Sequence, residues 1–229
     1  MPIQCNRRKA FLALVLLVPA PSIGALCGMV LFPDSLPGVL LFSLSKVWLF
    51  GFPLVWTLRV DRAPLRFSPM RRGGLPMGIL SGLALSGVIL AAYFLMGDGF
   101  IDREMMSGKL ETIGLGSPAV FWIGAAYWIL VNSVLEEYVW RWFCVKQCET
   151  LMQPVWAVMG SALFFTLHHI VAMRVYLGTP AVVACAFGVF LGGAIWSAMY
   201  IQYRSIWPGY VSHALVDLCI FAIAASILF

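Results

Sequence analysis

Charged residues are scarce in this chain of 229 residues: Lys, Arg, Asp and Glu make up 11% of it, against 62% hydrophobic residues. Soluble globular domains carry about a quarter charged residues, so the composition excludes an ordinary soluble protein. No internal repeat or low-complexity tract stands out. Apolar runs of about 18 residues or more recur along the chain instead, each long enough to cross ~30 Å of hydrocarbon.

Cysteine pairs and metal-binding signatures are also lacking. The six cysteines are scattered and form no CxxC, which argues against a disulfide framework or a zinc knuckle and favours buried small apolar residues. No HExxH sequence is present. The net charge of +5 does not indicate nucleic acid, because the basic residues follow a membrane topology.

The apolar runs predict an all-α, polytopic membrane bundle of about seven to eight transmembrane helices. The N-terminus begins like a secretory signal, but its apolar character continues to Phe32 without a clear cleavage site, so we expect a retained first helix. Longer loops are expected at roughly 59–74 and 97–117. The predicted spans are 10–32, 37–58, 75–96, 118–141, 153–173, 180–201 and 206–229.

The basic residues predict the orientation of this bundle. If the spans alternate, most of them fall on one side: Arg7, Arg8, Lys9, Arg59, Arg62, Arg66, Arg71, Arg72, Arg141, Lys146 and Arg204. The other side receives only Arg103, Lys109 and Arg174. The positive-inside rule therefore places the N-terminus in the cytoplasm and the C-terminus outside. So compact a chain fits a bacterial cytoplasmic membrane.

A few ionisable residues lie inside the predicted spans, where they usually face a bundle interior or a cavity and mark functional sites. They are Lys46, Glu136, Glu137, His168, His169, His213 and Asp217. Any one of them has a structural explanation as an ion pair or a satisfied histidine. Their joint placement is more informative than any single residue.

The polar groups are predicted to meet in one layer. Glu136 and His169 lie about equally far from the turn expected near residue 152, so on antiparallel helices both sit ~24–26 Å from it at ~1.5 Å per residue. His213 and Asp217, spaced i, i+4 on one face of the last span, reach a similar level. Three helices thus bring carboxylates and imidazoles together.

Neighbouring residues support this layer. Glu137 and Arg141 have the i, i+4 spacing of an ion pair, which leaves Glu136 free on a face turned by about 100°. Asn132, one turn earlier, is a possible partner of Glu136. Lys46 is interpreted as a structural residue that snorkels or pairs with Asp217 or Glu137.

Three short motifs stand in order on separate spans: EEYVWR at 136–141, FTLHH at 165–169 and HALVD at 213–217. They resemble the EExxxR, FxxxH and HxxxN (or Asp) pattern of the CAAX prenyl protease and bacteriocin-processing family of intramembrane glutamate endopeptidases, which includes the type II CAAX prenyl proteases. The resemblance covers about 130–220. His168 also satisfies FxxxH. His169 gives the better match, because the family has a serine and apolar residues before the phenylalanine and an aliphatic residue after the histidine, as SALFFTLHHI does here.

The spans predict a single integral membrane domain over 1–229, in which those in 10–110 carry no signature, and the resemblance places a catalytic core at 118–229. It implies hydrolysis of a peptide bond in a membrane-associated or lipid-modified protein or peptide, without a cofactor. Glu136 would activate water, His169 would assist, and His213 with Asp217 would stabilise the oxyanion. Glu137 and Arg141 would support them.

Asp217 stands where many family members have Asn. An amide donates a hydrogen bond to an oxyanion, whereas an ionised carboxylate only accepts. Asp217 is therefore either protonated or an acceptor that orients His213, and the sequence leaves both readings open.

Two other functions remain open at this stage. Glu136, His169 and His213 could supply a three-ligand zinc site with an open water position. A transporter or scaffold would also explain buried charge, although it does not explain three motifs in this order. The expected partners are the lipid bilayer and a membrane-anchored protein or peptide, and no nucleic acid.

Overall fold

The computed structural model describes residues 2–65, 68–70, 73–100, 102–112 and 114–229. Within these residues the chain is helical and contains no strand. Seven helices are long and apolar enough to cross a membrane, and a shorter helix, α4 (Arg103–Thr112), lies between the third and the fourth of them. The seven are α1 (Asn6–Leu31), α2 (Leu36–Val60), α3 (Gly74–Leu95), α5 (Pro118–Leu151), α6 (Pro154–Tyr176), α7 (Thr179–Tyr203) and α8 (Trp207–Leu228).

These helices confirm the predicted polytopic bundle, with one difference. The expected loop at 97–117 contains α4, whose Glu104 in the first turn and Lys109 in the last turn complement the helix dipole. The helix α5 continues past its apolar run to Leu151, so the turn after it lies where the sequence predicts it, near residue 152. Hydropathy marks where a helix leaves the apolar region, and helical hydrogen bonding continues past that point.

Contacts at one end of the bundle show that the spans alternate. At this N-terminal end, where α1 begins, Arg7 Nη2 donates to the Leu151 carbonyl at 2.9 Å. Arg204, between α7 and α8, donates to both carboxylate oxygens of Glu149 at 2.6 and 2.7 Å, and these hydrogen bonds raise the pKa of Arg204. The contacts fix the α5–α6 turn beside the start of α8.

The opposite, C-terminal end of the bundle closes in the same way. Tyr93 OH lies 3.5 Å from Ser226 Oγ, and the rings of Phe121 and Phe229 meet edge to face with centroids 5.8 Å apart. The basic residues that were predicted to face the cytoplasm therefore lie at the N-terminal end of the bundle, or on helix segments that run toward this end, where the structure describes them. Arg66, Arg71 and Arg72 lie outside the described residues.

A row of small residues on α3 determines how closely α8 packs. Gly74, Gly78 and Gly82 recur every four residues and face α8. A Cβ at Gly78 would lie 3.1 Å from Pro208 Cα, and one at Gly82 would lie 3.0 Å from Ser212 Cα. Small residues allow helix backbones to approach closely in membranes. The position of α8, and so of His213, depends on this contact.

The core is built around α5. Val139, Trp140, Phe143 and Cys144 are buried there and pack with buried side chains of α1, α2, α6, α7 and α8. Cys144 and Cys148 are completely buried free thiols, as expected for small apolar residues, whereas Cys185 is exposed. This packing holds the middle of α5 at the centre of the bundle.

Candidate active site

The residues of the three motifs converge from three helices. Glu136 and Glu137 lie on α5, His168 and His169 on α6, and His213 on α8 with Asp217 one turn later. Around the two glutamates, α5 changes to π-helical hydrogen bonding over Trp128–Asn132 and again over Glu137–Val145. Short π-helical segments inside α-helices occur often at functional sites, and here the longer of the two begins at Glu137.

Glu136 lies at the centre of the cluster and is only 5% exposed. Its Oε1 is 3.9 Å from His168 Nε2, and its Oε2 is 3.7 Å from His213 Nε2. Both distances exceed those of direct hydrogen bonds, which are 2.7–3.2 Å for N–H···O. Glu136 is therefore surrounded by imidazoles without being locked to either of them.

Both adjacent histidines of α6 reach Glu136. Glu136, His168 and His169 each offer one ligand atom, and these atoms lie within 4.8 Å of one another. His169 Nδ1 is 2.9 Å from the Phe165 carbonyl, and the ring of His168 stacks on Trp140 at 5.4 Å. Side chains that leave a helix about 100° apart converge here because Glu136 lies between their directions. The choice of His169 as the assisting histidine stays a prediction.

The predicted ion pair between Glu137 and Arg141 is present. Arg141 Nη1 lies 3.3 Å from Glu137 Oε1, and both side chains are almost completely buried. The same oxygen is 3.1 Å from His213 Nδ1. Glu137 therefore joins α5 to α8 as well as neutralising Arg141.

Arg141 is enclosed by aromatic rings. Its Cζ lies 4.5 Å from the centre of the Phe165 ring and 5.0 Å from that of Trp196. None of its guanidinium nitrogens has a hydrogen-bond partner within the described part of the chain. The charge is thus held by Glu137 and by two cation–π contacts, which strengthen when the cation is desolvated.

Asp217 connects α8 back to α5. Its Oδ2 is 2.7 Å from Ser133 Oγ and 3.7 Å from His213 Nε2. Ser133 Oγ is also 2.9 Å from the Trp128 carbonyl. A hydroxyl has one proton to donate, so both contacts are satisfied at once when Asp217 is protonated and donates to Ser133. Of the two readings that the sequence leaves open, this geometry favours the protonated carboxyl.

The two remaining candidates lie at the edge of this arrangement. Asn132 is buried one turn before Glu136. Lys46 lies over the rings of Phe42 and Phe50 on its own helix, at 5.5 and 6.0 Å. Among the described residues no ion pair joins Lys46 to Glu137 or Asp217, so of the two alternatives, snorkelling and pairing, pairing with these carboxylates is not observed.

Comparison with known families decides the class of protein. The family model described as type II CAAX prenyl endopeptidase, Rce1-like, matches residues 118–219, from the start of α5 to two residues beyond Asp217. Residues 118–219 belong to this family. The chain is therefore an integral membrane protease of the CAAX type in general. No curated protein and no solved structure matches it.

The protease has a candidate metal group that differs from the expected one. The structure groups Glu136 with His168 and His169, whereas the sequence suggested Glu136, His169 and His213. Zinc–ligand distances of about 2.0–2.2 Å place ligand atoms ~3.4 Å apart in a tetrahedral site, whereas His168 Nε2 and Glu136 Oε1 lie 3.9 Å apart. The donor set suits zinc chemically, and the side chains would have to close in to hold it.

Some features of the protease site escaped the sequence reasoning. Trp196 of α7 stacks on His213 with centroids 4.0 Å apart and planes inclined by 17°, and Ser133 contacts Asp217 as described above. Trp196 gave no separate signal, because tryptophans in membrane spans commonly belong to interfacial belts or to core packing. Ser133 gave no signal, because small hydroxyl residues are common in membrane helices.

Substitution of Gly209 tests the contact between α5 and α8. A Cβ at this residue would collide with Glu137 Oε2 and would lie 3.1 Å from Glu137 Cδ. We expect Gly209→Ala to lower the stability of the protease by about 1–3 kcal/mol, the usual cost of overpacking, and to reduce peptide cleavage. Thermal unfolding in detergent and a cleavage assay measure the two effects.

The matched control for this test is Gly87→Ala. A Cβ at Gly87, also within a membrane helix, meets nothing within 4 Å. Alanine favours the helix by up to ~1 kcal/mol over glycine, so this variant should be as stable as the wild type or more so. Equal effects of the two substitutions would show that the contact with Glu137 is unimportant.

Proposed function

We propose that the protein is an intramembrane endopeptidase in which Glu136 is the general base. The observation that carries the proposal is the position of Glu136, a buried carboxylate whose two oxygens each face an imidazole Nε2 from a different helix, at 3.9 and 3.7 Å. Polar contacts longer than about 3.5 Å are ones where a bridging water is considered, and at these distances the water would lie to one side of the line between the two atoms. Such a water would lie between a base and two groups able to orient it.

The first chemical step is attack of this water on the peptide carbonyl. Glu136 takes a proton as the water oxygen bonds to the carbonyl carbon, and the carbonyl oxygen becomes an oxyanion. His169 assists: because its Nδ1 donates to the Phe165 carbonyl, its Nε2 is an acceptor in the neutral ring. His168, whose Nε2 lies 3.9 Å from Glu136, orients the carboxylate.

His213 and Asp217 then stabilise the oxyanion. Glu137 accepts the hydrogen bond from His213 Nδ1, so a doubly protonated His213 keeps Nε2–H for the oxyanion. A protonated Asp217 gives its one proton to Ser133 and adds no negative charge beside that nitrogen, so the Nε2–H of His213 remains free to donate to the oxyanion. Donors that already point at the developing charge are among the largest contributions to catalysis.

Collapse of the tetrahedral intermediate completes the cycle. The carbonyl re-forms, the C–N bond breaks, and the proton held by Glu136 passes to the departing amine. The ion pair with Arg141 keeps Glu137 neutralised throughout, so that Glu136 gains and loses its proton beside a balanced neighbour. Each proton and electron pair is accounted for by residues of this chain and one water.

The proposed substrate is a membrane-associated or lipid-modified protein or peptide. The N-terminal end of the bundle is assigned to the cytoplasm because it collects most of the basic residues. A bacterial cytoplasmic membrane is the proposed location. The family's description as a prenyl endopeptidase suggests a peptide with an isoprenylated cysteine near its C-terminus as the first probe.

Cleavage of defined peptides tests this function. The purified chain in detergent would be incubated with a prenylated CAAX peptide, the same peptide without the lipid, and an unmodified transmembrane peptide, and products would be identified by mass spectrometry. We expect one internal cleavage in at least one probe. Absence of cleavage from all three, with the protein folded, would argue against an endopeptidase with these substrates.

A zinc protease is the second candidate, favoured by the grouping of Glu136, His168 and His169. Dialysis of the active protein against a tight chelator distinguishes the two mechanisms. In the glutamate mechanism we expect activity to persist at the level of the undialysed sample. Loss of activity that added zinc restores would establish the metal mechanism instead.

A further inference from the structure

The helix α7 carries none of the motif residues, yet one of its side chains packs directly against the site. Trp196 is buried, with 4% of its surface exposed. One face of its indole stacks on the ring of His213 at 4.0 Å. Its ring system also lies 5.0 Å from the Arg141 guanidinium. Trp196 therefore contacts both cationic partners of Glu137.

The indole itself is fixed on two sides. Its Nε1 donates to Ser212 Oγ at 2.9 Å, and Ser81 Oγ of α3 lies 3.1 Å from the same oxygen. The opposite edge of the ring faces Gly192, where a Cβ would lie 3.4 Å from Trp196 Cη2. A hydrogen bond to the residue beside His213 sets the indole against α8. The indole of Trp196 is therefore held in one orientation against the ring of His213.

We infer that Trp196 is a positioning residue for His213: its indole fixes the plane of the imidazole so that Nδ1 meets Glu137 and Nε2 faces Glu136. An imidazole can rotate about its bond to Cβ, and a parallel aromatic face at 4.0 Å restricts that rotation. The indole face also favours a cationic imidazole and keeps lipid and water from its surface. This role rests on the proposed function, in which His213 donates to the oxyanion.

The kinetic test compares Trp196→Leu with Trp196→Phe. Small displacements of catalytic groups cost up to about 100-fold in rate, so we expect Trp196→Leu to lower kcat by about 10- to 100-fold, with KM changed little because no substrate contact is removed. Trp196→Phe keeps an aromatic face and should recover most of kcat. Trp56→Leu is the control, since it removes another buried tryptophan, on α2, whose ring packs against Phe52 of the same helix.

A second measurement does not depend on peptidase activity. Diethyl pyrocarbonate acylates accessible imidazole nitrogens that are unprotonated, so labelling is followed over a range of pH that extends to alkaline values. Mass spectrometry distinguishes the tryptic or chymotryptic fragment that contains His213 from the one with His168 and His169. We expect labelling of His213 to rise several-fold in Trp196→Leu, and to stay near the wild-type level in Trp196→Phe and Trp56→Leu. Labelling is carried out in the folded protein in detergent.

The outcomes separate this inference from the proposed function. Unchanged labelling of His213 in Trp196→Leu overturns the positioning role, whatever the kinetics. Increased labelling with unchanged kcat overturns its importance for catalysis, as does an equal fall in kcat for Trp56→Leu. If the wild type cleaves no peptide, the proposed function fails, while the labelling experiment still decides whether Trp196 holds His213.

Discussion

Replacing Glu136 by Gln should abolish peptide cleavage while leaving the fold intact. The amide has nearly the shape of the carboxylate, so packing is preserved, but it has no basic oxygen to take a proton from water. General base catalysis contributes about 10²–10⁴ in rate, so kcat should fall at least to this extent. Initial rates of product formation, followed by mass spectrometry, measure the effect.

The control for this substitution is Glu104→Gln. Glu104 lies on α4, is exposed, and belongs to the first turn of that helix, so it has no contact with the site. We expect wild-type rates from it. Thermal unfolding of both variants should match the wild type within a few degrees. Substantial cleavage by a folded Glu136→Gln would rule out Glu136 as the base, and full function in cells would argue against an enzyme altogether.

Replacing Arg141 by Met should give the largest loss of stability. The guanidinium is completely buried between Phe165 and Trp196, and its removal leaves Glu137 buried with one cationic partner fewer. Removing one member of a buried ion pair costs about 3–5 kcal/mol, because the remaining charge is uncompensated. In a chain of this size that corresponds to a fall in Tm of about 6–20 °C, at ~2–4 °C per kcal/mol.

A double substitution identifies the cause of this loss. In Arg141→Met with Glu137→Gln, no unpaired charge is left, and replacing both members of a buried pair is often close to neutral. We therefore expect the double variant to recover much of the lost stability, although His213 loses a carboxylate partner. Arg174→Met, at an exposed site near the end of α6, is the control and should change stability little. A double variant no more stable than Arg141→Met would mean that the guanidinium acts through packing alone.

Much of this architecture was predictable because membrane spans leave a strong record in hydropathy. Every predicted span is present, and the α5–α6 turn falls at the interruption that Pro154 marks. The prediction of a loop at 97–117 was wrong because this segment contains α4, which is short and polar. Its helicity depends on local capping and dipole effects rather than on a long apolar run. Hydropathy does not report such helices.

The candidate site was predictable to the level of helices and layers. Equal distances from a turn bring Glu136 and the histidines of α6 to one level, and the structure contains that layer. The order of His168 and His169 around Glu136 was not predictable, since it depends on the rotation of α6 and on the π-helical turns of α5. Contacts between distant helices, such as Trp196 with His213, leave no local pattern at all.

Because the glycines of α3 support α8, the two halves of the chain have different roles. The family match begins only at α5, so every motif residue lies within the second half of the chain, while the surface that holds α8 in place is supplied by the first. A fragment that begins at residue 118 would contain the whole set of reactive groups but would expose the back of α8, which α3 covers through Gly78 and Gly82. At these glycines α3 is constrained by shape and not by reactive chemistry, whereas at Ser81 the hydroxyl that contacts Ser212 adds a polar requirement.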